Sequence, residues 1–282
     1  MDINRVPILN YHKIDSRHDI GITTRHPSQF KSDMQQLRDN GYTPVTFKNL
    51  AHDEDIPPKP IVITFDDGYQ SVYENALPIL DAFGFKAVIF VPTFFIGRSN
   101  DWDVQFRNTK FEHLNAVQLR YMSHNGFEIG SHAHTHRSLT YLPYIELSIE
   151  LTRSKQDIED ITGEKVTVIC YPFGRFNRTV IQNAQEAGYQ LGLGSMYLFK
   201  SIPSHEAYMA LRRFNVYRFD ESHTLMKKVN NPYGSIYSVR NWLIQKGGLA
   251  TVFYQRYFKK DFIYDLKHGE YSRITKKESI TS

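Results

Sequence analysis

Two clusters of polar residues follow apolar runs and have the side chains needed to hold a metal ion. Asp66 and Asp67 come directly after Ile61-Val62-Ile63-Thr64-Phe65, and three histidines occupy the alternate positions 132, 134 and 136. Adjacent carboxylates repel each other unless a cation or a division of roles separates them. Two imidazoles and one carboxylate are a common ligand set for catalytic zinc, which leaves a position for water. The pattern predicts a metal-dependent hydrolase, without saying which two histidines bind.

Each cluster also has a simpler structural interpretation. Asp66-Asp67-Gly68 could be a turn that caps the next helix, and the histidines could be packed structural residues. The two aspartates are neighbours, so their side chains diverge, and one could bind a metal while the other approaches a substrate.

The elements that must position these residues alternate along the chain. Short β-like runs are separated by segments with helical periodicity that mostly end before a glycine, a pattern typical of left-handed caps. Predicted strands cover 6–11, 42–46, 60–65, 86–91, 127–131, 166–171, 189–193 and 211–216. Predicted helices cover 28–40, 69–83, 116–125, 143–162 and 177–187, with Asn177 as an N-cap.

Strands alternating with helices over more than 200 residues predict a parallel sheet, and this number of units favours a barrel. An open doubly wound sheet is the alternative, but no GxGxxG or GxxxxGK[ST] motif supports it. We predict an α/β fold, a distorted TIM-like barrel formed as a single domain by residues 1–233, followed by a C-terminal extension, residues 234–282. Reactive residues of such barrels lie at the carboxyl ends of strands, where residues 9–12, 64–68, 131–136 and 171–174 fall.

Composition narrows the class of protein further. The 282 residues are 41% hydrophobic and 23% charged, which excludes a mostly disordered or collagen-like chain. Cys170 is the single cysteine, so an intramolecular disulfide and a cysteine zinc cluster are excluded, and we expect a small core residue. There is no apolar run of membrane-spanning length and no signal-peptide pattern at the start. We therefore expect a cytoplasmic protein if the given N-terminus is native and no leader has been removed.

The C-terminal extension is basic and aromatic. From Arg240 onward there are nine lysines and arginines against four acidic residues, whereas the formal charge of the whole chain is +4. The segment 242–262 could contact an anionic membrane or a partner, or it could be a helix packed on the barrel. We expect no nucleic-acid partner.

Together, the two polar motifs resemble those of the polysaccharide deacetylases, carbohydrate esterase family 4, which have the NodB-homology fold. Thr64-Phe65-Asp66-Asp67-Gly68 matches the first motif of the family, and His132-Ala133-His134-Thr135-His136 followed by Leu139 matches its His-x-x-x-His motif. The resemblance extends over roughly residues 5 to 230. It implies one divalent metal held by Asp67, His132 and His136, with Asp66 as the general base. His134 then lines the site or supports its ligands.

The chain departs from the usual family pattern at two places. An arginine often precedes the third motif, where this chain has Cys170-Tyr171-Pro172-Phe173-Gly174, and Arg213 is a candidate to orient Asp66 instead. The family's downstream Leu-x-x-His is also missing, but Leu9-Asn10-Tyr11-His12 has this pattern at the start of the chain. The first and last strands of a closed barrel are neighbours, so the motif can move between termini. The arrangement resembles circularly permuted poly-N-acetylglucosamine deacetylases, with His12 as general acid.

The resemblance implies hydrolysis of N-acetyl groups on an amino sugar or polysaccharide, with an N-acetylated glycan as the partner. Zinc is the expected metal, and cobalt, nickel or iron fit the same donors. The backbone N–H of Phe173 is a candidate oxyanion donor, and Tyr171 and Leu9 are further candidates for substrate contacts. Sugar faces stack on aromatic rings, so Tyr69, Trp102 and Tyr171 could line subsites. The alternatives are a silent carbohydrate-binding protein and a metallohydrolase of O-acetyl esters.

Overall fold

The computed structural model describes residues 3–17, 22–51, 56–100, 110–194 and 204–230. The C-terminal extension lies outside the described residues, and so do the membrane and partner contacts predicted for it. In the described part of the chain, none of the helices combines the length and the apolar character of a membrane-spanning segment.

A curved parallel sheet forms the centre of the molecule. Its strands follow the order β10-β1-β5-β6-β7-β8-β9, β4 adds to β5, and β2 and β3 pair separately. The strands are β1 (Ile8–Tyr11), β2 (Lys13–Ile14), β3 (Thr24–Arg25), β4 (Thr43–Pro44), β5 (Pro60–Phe65), β6 (Val88–Val91), β7 (Glu128–Ser131), β8 (Val168–Cys170), β9 (Leu191–Leu193) and β10 (Phe214–Asn215). All pairings between named strands are parallel, which confirms the predicted sheet.

The segment that contains β10 brings the two edges of the sheet together. Leu211 forms a parallel bridge with Leu193 at the end of β9. A few residues later, the Val216 N–H donates to the carbonyl oxygen of Asn10 in β1. Because one short segment contacts both edges, the sheet forms a distorted barrel, as the sequence predicts.

Helices cover the outside of the sheet. They are α1 (Pro27–Asp39), α2 (Phe47–Ala51), α3 (Leu77–Phe83), α4 (Ala116–His124), α5 (Tyr144–Thr162), α6 (Arg178–Glu186) and α7 (Ser222–Asn230). Gly41, Gly84, Gly126, Gly163 and Gly188 all have positive φ at or just after a helix end, and this confirms the predicted caps. Asn177 caps α6 by accepting from the Val180 N–H, also as predicted. The predicted helix 69–83 is instead a π-helical turn, Val72–Ala76, followed by α3.

Alternation along the strands decides which side chains enter the barrel. In β5, Val62 packs with Ile8, Val88 and Val168 in the inner apolar cluster. Its neighbours Ile61 and Ile63 pack in the outer cluster beneath the helices. Cys170 is fully buried in the inner cluster, which confirms the expectation of a small core residue.

Glu128 is a buried carboxylate at the opposite end of β7 from the histidine cluster. Its Oε2 accepts the Lys48 N–H of α2 at 3.1 Å. Burial raises the pKa of Glu128 from its usual 4.5 to about 7, although the bond from Lys48 lowers it in part. Folding therefore disfavours ionisation of Glu128. The resulting loss of folding stability is absent below pH 4.5, grows between pH 4.5 and 7, and is constant above pH 7.

We expect Glu128→Gln to stabilise the fold relative to the native chain at pH 8 and not at pH 4.5. The pKa difference sets an upper limit of about 3 kcal/mol on the gain. Chemical denaturation of both proteins at the two pH values measures it. A stability difference that is the same at pH 4.5 and pH 8 would contradict the assigned cause.

Candidate active site

Alternate side chains along each strand point into the barrel, and the polar residues just beyond the apolar ones follow the same alternation. Ile8 of β1 is followed at the inward positions by Asn10 and His12, and Val62 of β5 is followed by Thr64 and Asp66. Parallel strands end at the same edge, so these side chains meet at one end of the barrel. Asp66, Asp67, His132 and His136 are all at least 95% buried there.

Asp67, His132 and His136 form a compact set of three metal donors. The Asp67 Oδ1 lies 3.5 Å from the His132 Nε2 and 3.3 Å from the His136 Nε2. One donor atom from each residue lies within 4.8 Å of the others. Asp67 Oδ1 is buried and has no hydrogen-bond partner among the described residues, which would be costly without a cation. The donors fit a divalent metal, because carboxylate and imidazole are its common protein ligands.

The structure also shows why His132 presents Nε2. Its Nδ1 lies 2.7 Å from the Cys170 carbonyl oxygen, which can only accept a hydrogen bond. Nδ1 therefore carries the hydrogen in the neutral ring, and the Nε2 lone pair faces Asp67. Such a hydrogen bond is the usual way to orient a metal-binding imidazole.

His134 contacts a different part of the molecule. Its Nδ1 is 2.7 Å from the Thr93 Oγ1 and 3.3 Å from the Asp157 Oδ2 on α5. It is not in the donor set, so the structure brings His132 and His136, and not His134, together with Asp67.

Backbone strain is concentrated at this end of the barrel. Asp67, Ala133, His136 and Phe173 are the four non-glycine residues with positive φ in the described part of the chain, with values from 55° to 68°. Such conformations are sparsely populated and cluster at functional sites. The buried Glu150 holds the histidine loop by accepting the N–H groups of His134 and Thr135 at 2.9 and 2.8 Å.

Asp66 is held by groups other than those around Asp67. Arg213 donates two hydrogen bonds to it, from Nη1 to Oδ1 at 2.6 Å and from Nη2 to Oδ2 at 2.8 Å. The Asn10 amide also donates to Oδ2 at 3.1 Å. Burial alone would raise the pKa of Asp66, but Arg213 and His132 outweigh it and lower that pKa to about 2. The structure thus places Arg213 where it can orient Asp66 as an ionised carboxylate.

A second set of donors, Asp66, His132 and Cys170, also lies close together. It is less suited to a cation, because the guanidinium of Arg213 already occupies both oxygens of Asp66. Burial raises the pKa of the Cys170 thiol, which disfavours the thiolate that a metal needs.

His12 faces the same carboxylate from the end of β1. Its Nε2 lies 4.0 Å from the Asp66 Oδ2, and its side chain is 22% exposed. Burial lowers the pKa of His12, against the opposing effect of the carboxylates of Asp67 and Asp66. His12 therefore lies beside Asp66 and remains partly accessible to solvent.

The predicted substrate contacts are only partly placed at the site. The ring centroids of Phe173 and His136 lie 4.9 Å apart. Leu9, Tyr69 and Tyr171 are no more than 1% exposed, so their side chains face the core in this structure, and their substrate contacts stay predictions. The Tyr171 hydroxyl donates to the Met209 carbonyl, and Tyr69 stacks on His113. Trp102 lies outside the described residues.

Two polar residues of this region, Asn10 and His113, were given no role in the sequence analysis. Asn10 links Asp66 to the Asn215 Oδ1, to which its amide lies at 2.8 Å. His113 lies 2.7 Å from the Asp67 carbonyl oxygen. Burial lowers the pKa of His113 to about 4. The inward alternation after Ile8 could have identified Asn10, whereas no sequence pattern marks His113.

Comparison with known proteins agrees with this geometry. Residues 53–192 match the family model of the polysaccharide deacetylases. The chain contains a polysaccharide deacetylase domain, and its barrel is consistent with the fold of that family.

Particular relatives come from several bacteria. The Bacillus subtilis family member YxkH is 33% identical over 193 residues, 67% of this chain and 64% of that protein, so the chain spans less than two thirds of its length. The poly-β-1,6-N-acetyl-D-glucosamine N-deacetylase of Staphylococcus aureus strain MRSA252 is 24% identical over 214 residues, 67% of this chain and 71% of that protein. The structure of a polysaccharide deacetylase from Bacillus cereus is 26% identical, with a TM-score of 0.67, over 79% of this chain and 68% of that one.

Proposed function

We propose that this protein is a metal-dependent hydrolase that removes N-acetyl groups from an N-acetylated amino-sugar glycan. The observation that carries the proposal is the division of roles between adjacent aspartates. Asp67 faces two imidazoles with a buried oxygen that has no hydrogen-bond partner in the part of the chain that the structure describes, whereas Asp66 is held by Arg213 and Asn10. Poly-N-acetylglucosamine N-deacetylases among the relatives support this substrate class.

Asp67, His132 and His136 would hold the metal, and zinc fits these donors best. When bound, a divalent metal supplies Lewis-acid polarisation of the acetyl oxygen and lowers the pKa of water. Asp66 is the base that takes the proton of the attacking water, since Arg213 keeps it ionised and oriented. The Phe173 N–H is the candidate donor to the developing oxyanion.

His12 completes the reaction as the acid that protonates the departing amine. An amine leaves poorly as an anion, so a proton donor is needed on the leaving-group side. The imidazole lies 4.0 Å from Asp66 and is partly exposed, so it can reach both the site and solvent.

A silent sugar-binding protein was an alternative because Cys170 replaces a family arginine. Arg213, directly before β10, offers a guanidinium to Asp66, so the lack of an arginine at position 170 no longer favours that alternative.

Acetate release from N-acetylglucosamine oligomers tests the proposal. We expect release by the zinc-loaded protein, loss after treatment with a chelator, and recovery when zinc is restored. An O-acetylated sugar measured in parallel distinguishes amide from ester hydrolysis. Metal and oligomer binding without acetate release would contradict the proposed activity.

We expect His12→Asn to lower the turnover number by about 10²- to 10⁴-fold, because the variant lacks the proton donor. Zinc content should be unchanged, since His12 is not in the donor set. His124→Asn makes the same chemical change at an exposed position at the end of α4 and should leave turnover intact. Undiminished turnover in His12→Asn would remove His12 as the acid.

A further inference from the structure

We propose that His113 is a positioning residue for the metal ligand Asp67. This inference rests on the metal site of the proposed function. The His113 side chain is 2% exposed, and its Nδ1 lies 2.7 Å from the Asp67 carbonyl oxygen. Since a carbonyl oxygen only accepts, Nδ1 carries the hydrogen and donates it.

The segment around His113 holds the whole Asp67 turn. The Leu114 N–H donates to the Gly68 carbonyl oxygen at 2.8 Å, and the Gln70 N–H donates to that of Glu112 at 2.8 Å. With the antiparallel bridge between Tyr69 and His113, these bonds fasten residues 67–70 to residues 112–114.

The turn needs such support because two consecutive residues have left-handed backbone. Asp67 has φ 68° and Gly68 has φ 56°. A side chain at position 68 would also approach the side chain of Val91 to 3.2 Å. The left-handed conformation is unfavourable for aspartate and persists only where its surroundings fix it. His113 fixes the Asp67 carbonyl, which sets the direction in which the Asp67 carboxylate leaves the backbone.

Packing alone does not account for an imidazole at this position. The ring stacks on Tyr69 with centroids 5.0 Å apart and lies 5.5 Å from the ring of Phe95. In these aromatic surroundings a phenyl ring would pack as well. The His113 Nε2 is buried and has no hydrogen-bond partner in the described part of the chain, which is an unfavourable state for a polar atom. The donor to Asp67 is the feature that distinguishes histidine from phenylalanine here.

Three substitutions at position 113 distinguish the effect of the hydrogen-bond donor from the effect of the aromatic ring. Phenylalanine keeps the stacking on Tyr69 and removes the donor. Asparagine can place its amide nitrogen near the position of Nδ1, whereas glutamine places its amide nitrogen nearer to that of Nε2. We expect His113→Phe and His113→Gln to bind zinc about 10- to 100-fold more weakly than the native chain. His113→Asn should retain most of the native affinity.

Zinc affinity of the metal-free proteins, measured by competition with a chelating indicator, tests this inference. Thermal unfolding without metal is recorded in parallel as a control for a general loss of stability. A loss of stability common to all three variants would lower their melting temperatures, but it would not produce the predicted order of zinc affinities. Native affinity in His113→Phe, or equal losses in the asparagine and glutamine variants, would overturn the inference. If the native chain itself bound no zinc, the proposed function would fail instead, so the two failures are distinguishable.

Discussion

Replacing Asp66 by asparagine is expected to lower acetate release by about 10²- to 10⁴-fold while the protein keeps its metal. Asparagine has nearly the shape of aspartate but cannot accept the proton of the attacking water. The metal should remain, because the proposed ligands are Asp67, His132 and His136, whose donor atoms lie within 4.8 Å of one another. Acetate release and zinc content of the same preparation measure the two effects.

This substitution also leaves the buried Arg213 without its bidentate partner. Removal of one member of a buried pair costs about 3 to 5 kcal/mol, so the measurements belong well below the melting temperature of the variant. Asp81→Asn is the matched control, because that carboxylate is half exposed on α3 and pairs with Lys86 at the surface. Loss of zinc in Asp66→Asn to the same degree as in a ligand variant would contradict the division of roles between the aspartates.

Replacing His132 by alanine is expected to remove both zinc binding and turnover. The substitution deletes one of three donors, and the remaining two residues cannot complete the coordination of a catalytic zinc. Zinc content after dialysis and acetate release at saturating zinc measure the loss.

His134→Ala is the control for that experiment, since it removes the histidine between the two proposed ligands. His134 contacts Thr93 and Asp157 and is not in the donor set, so this variant should retain one zinc. Full zinc retention in His132→Ala, or equal loss in the two variants, would contradict the assigned ligands.

Local sequence patterns predicted most of the fold because they act over a few residues. The left-handed glycines after the helices and the N-cap at Asn177 require only neighbouring residues, and the structure has them. Helices α2 and α7 were missed. α2 has only five residues, too few for helical periodicity to be visible.

Two motifs at strand ends indicated most of the candidate site, and the resemblance to the family made Arg213 a candidate to orient Asp66. Arg213 reaches Asp66 across 147 positions, so only the closure of the barrel brings them together. The burial of Leu9 and Tyr171, for which substrate contacts were expected, has a local cause. Both are one position from the inward residues Asn10 and Cys170, so strand alternation turns their side chains away from the barrel interior.

The central claim is that one metal ion lies among Asp67, His132 and His136, and anomalous scattering from zinc-soaked crystals tests it most directly. The account predicts a single peak about 2.0 to 2.2 Å from the Asp67 Oδ1, the His132 Nε2 and the His136 Nε2. A peak bound instead by Asp66 and the Cys170 thiol would contradict it.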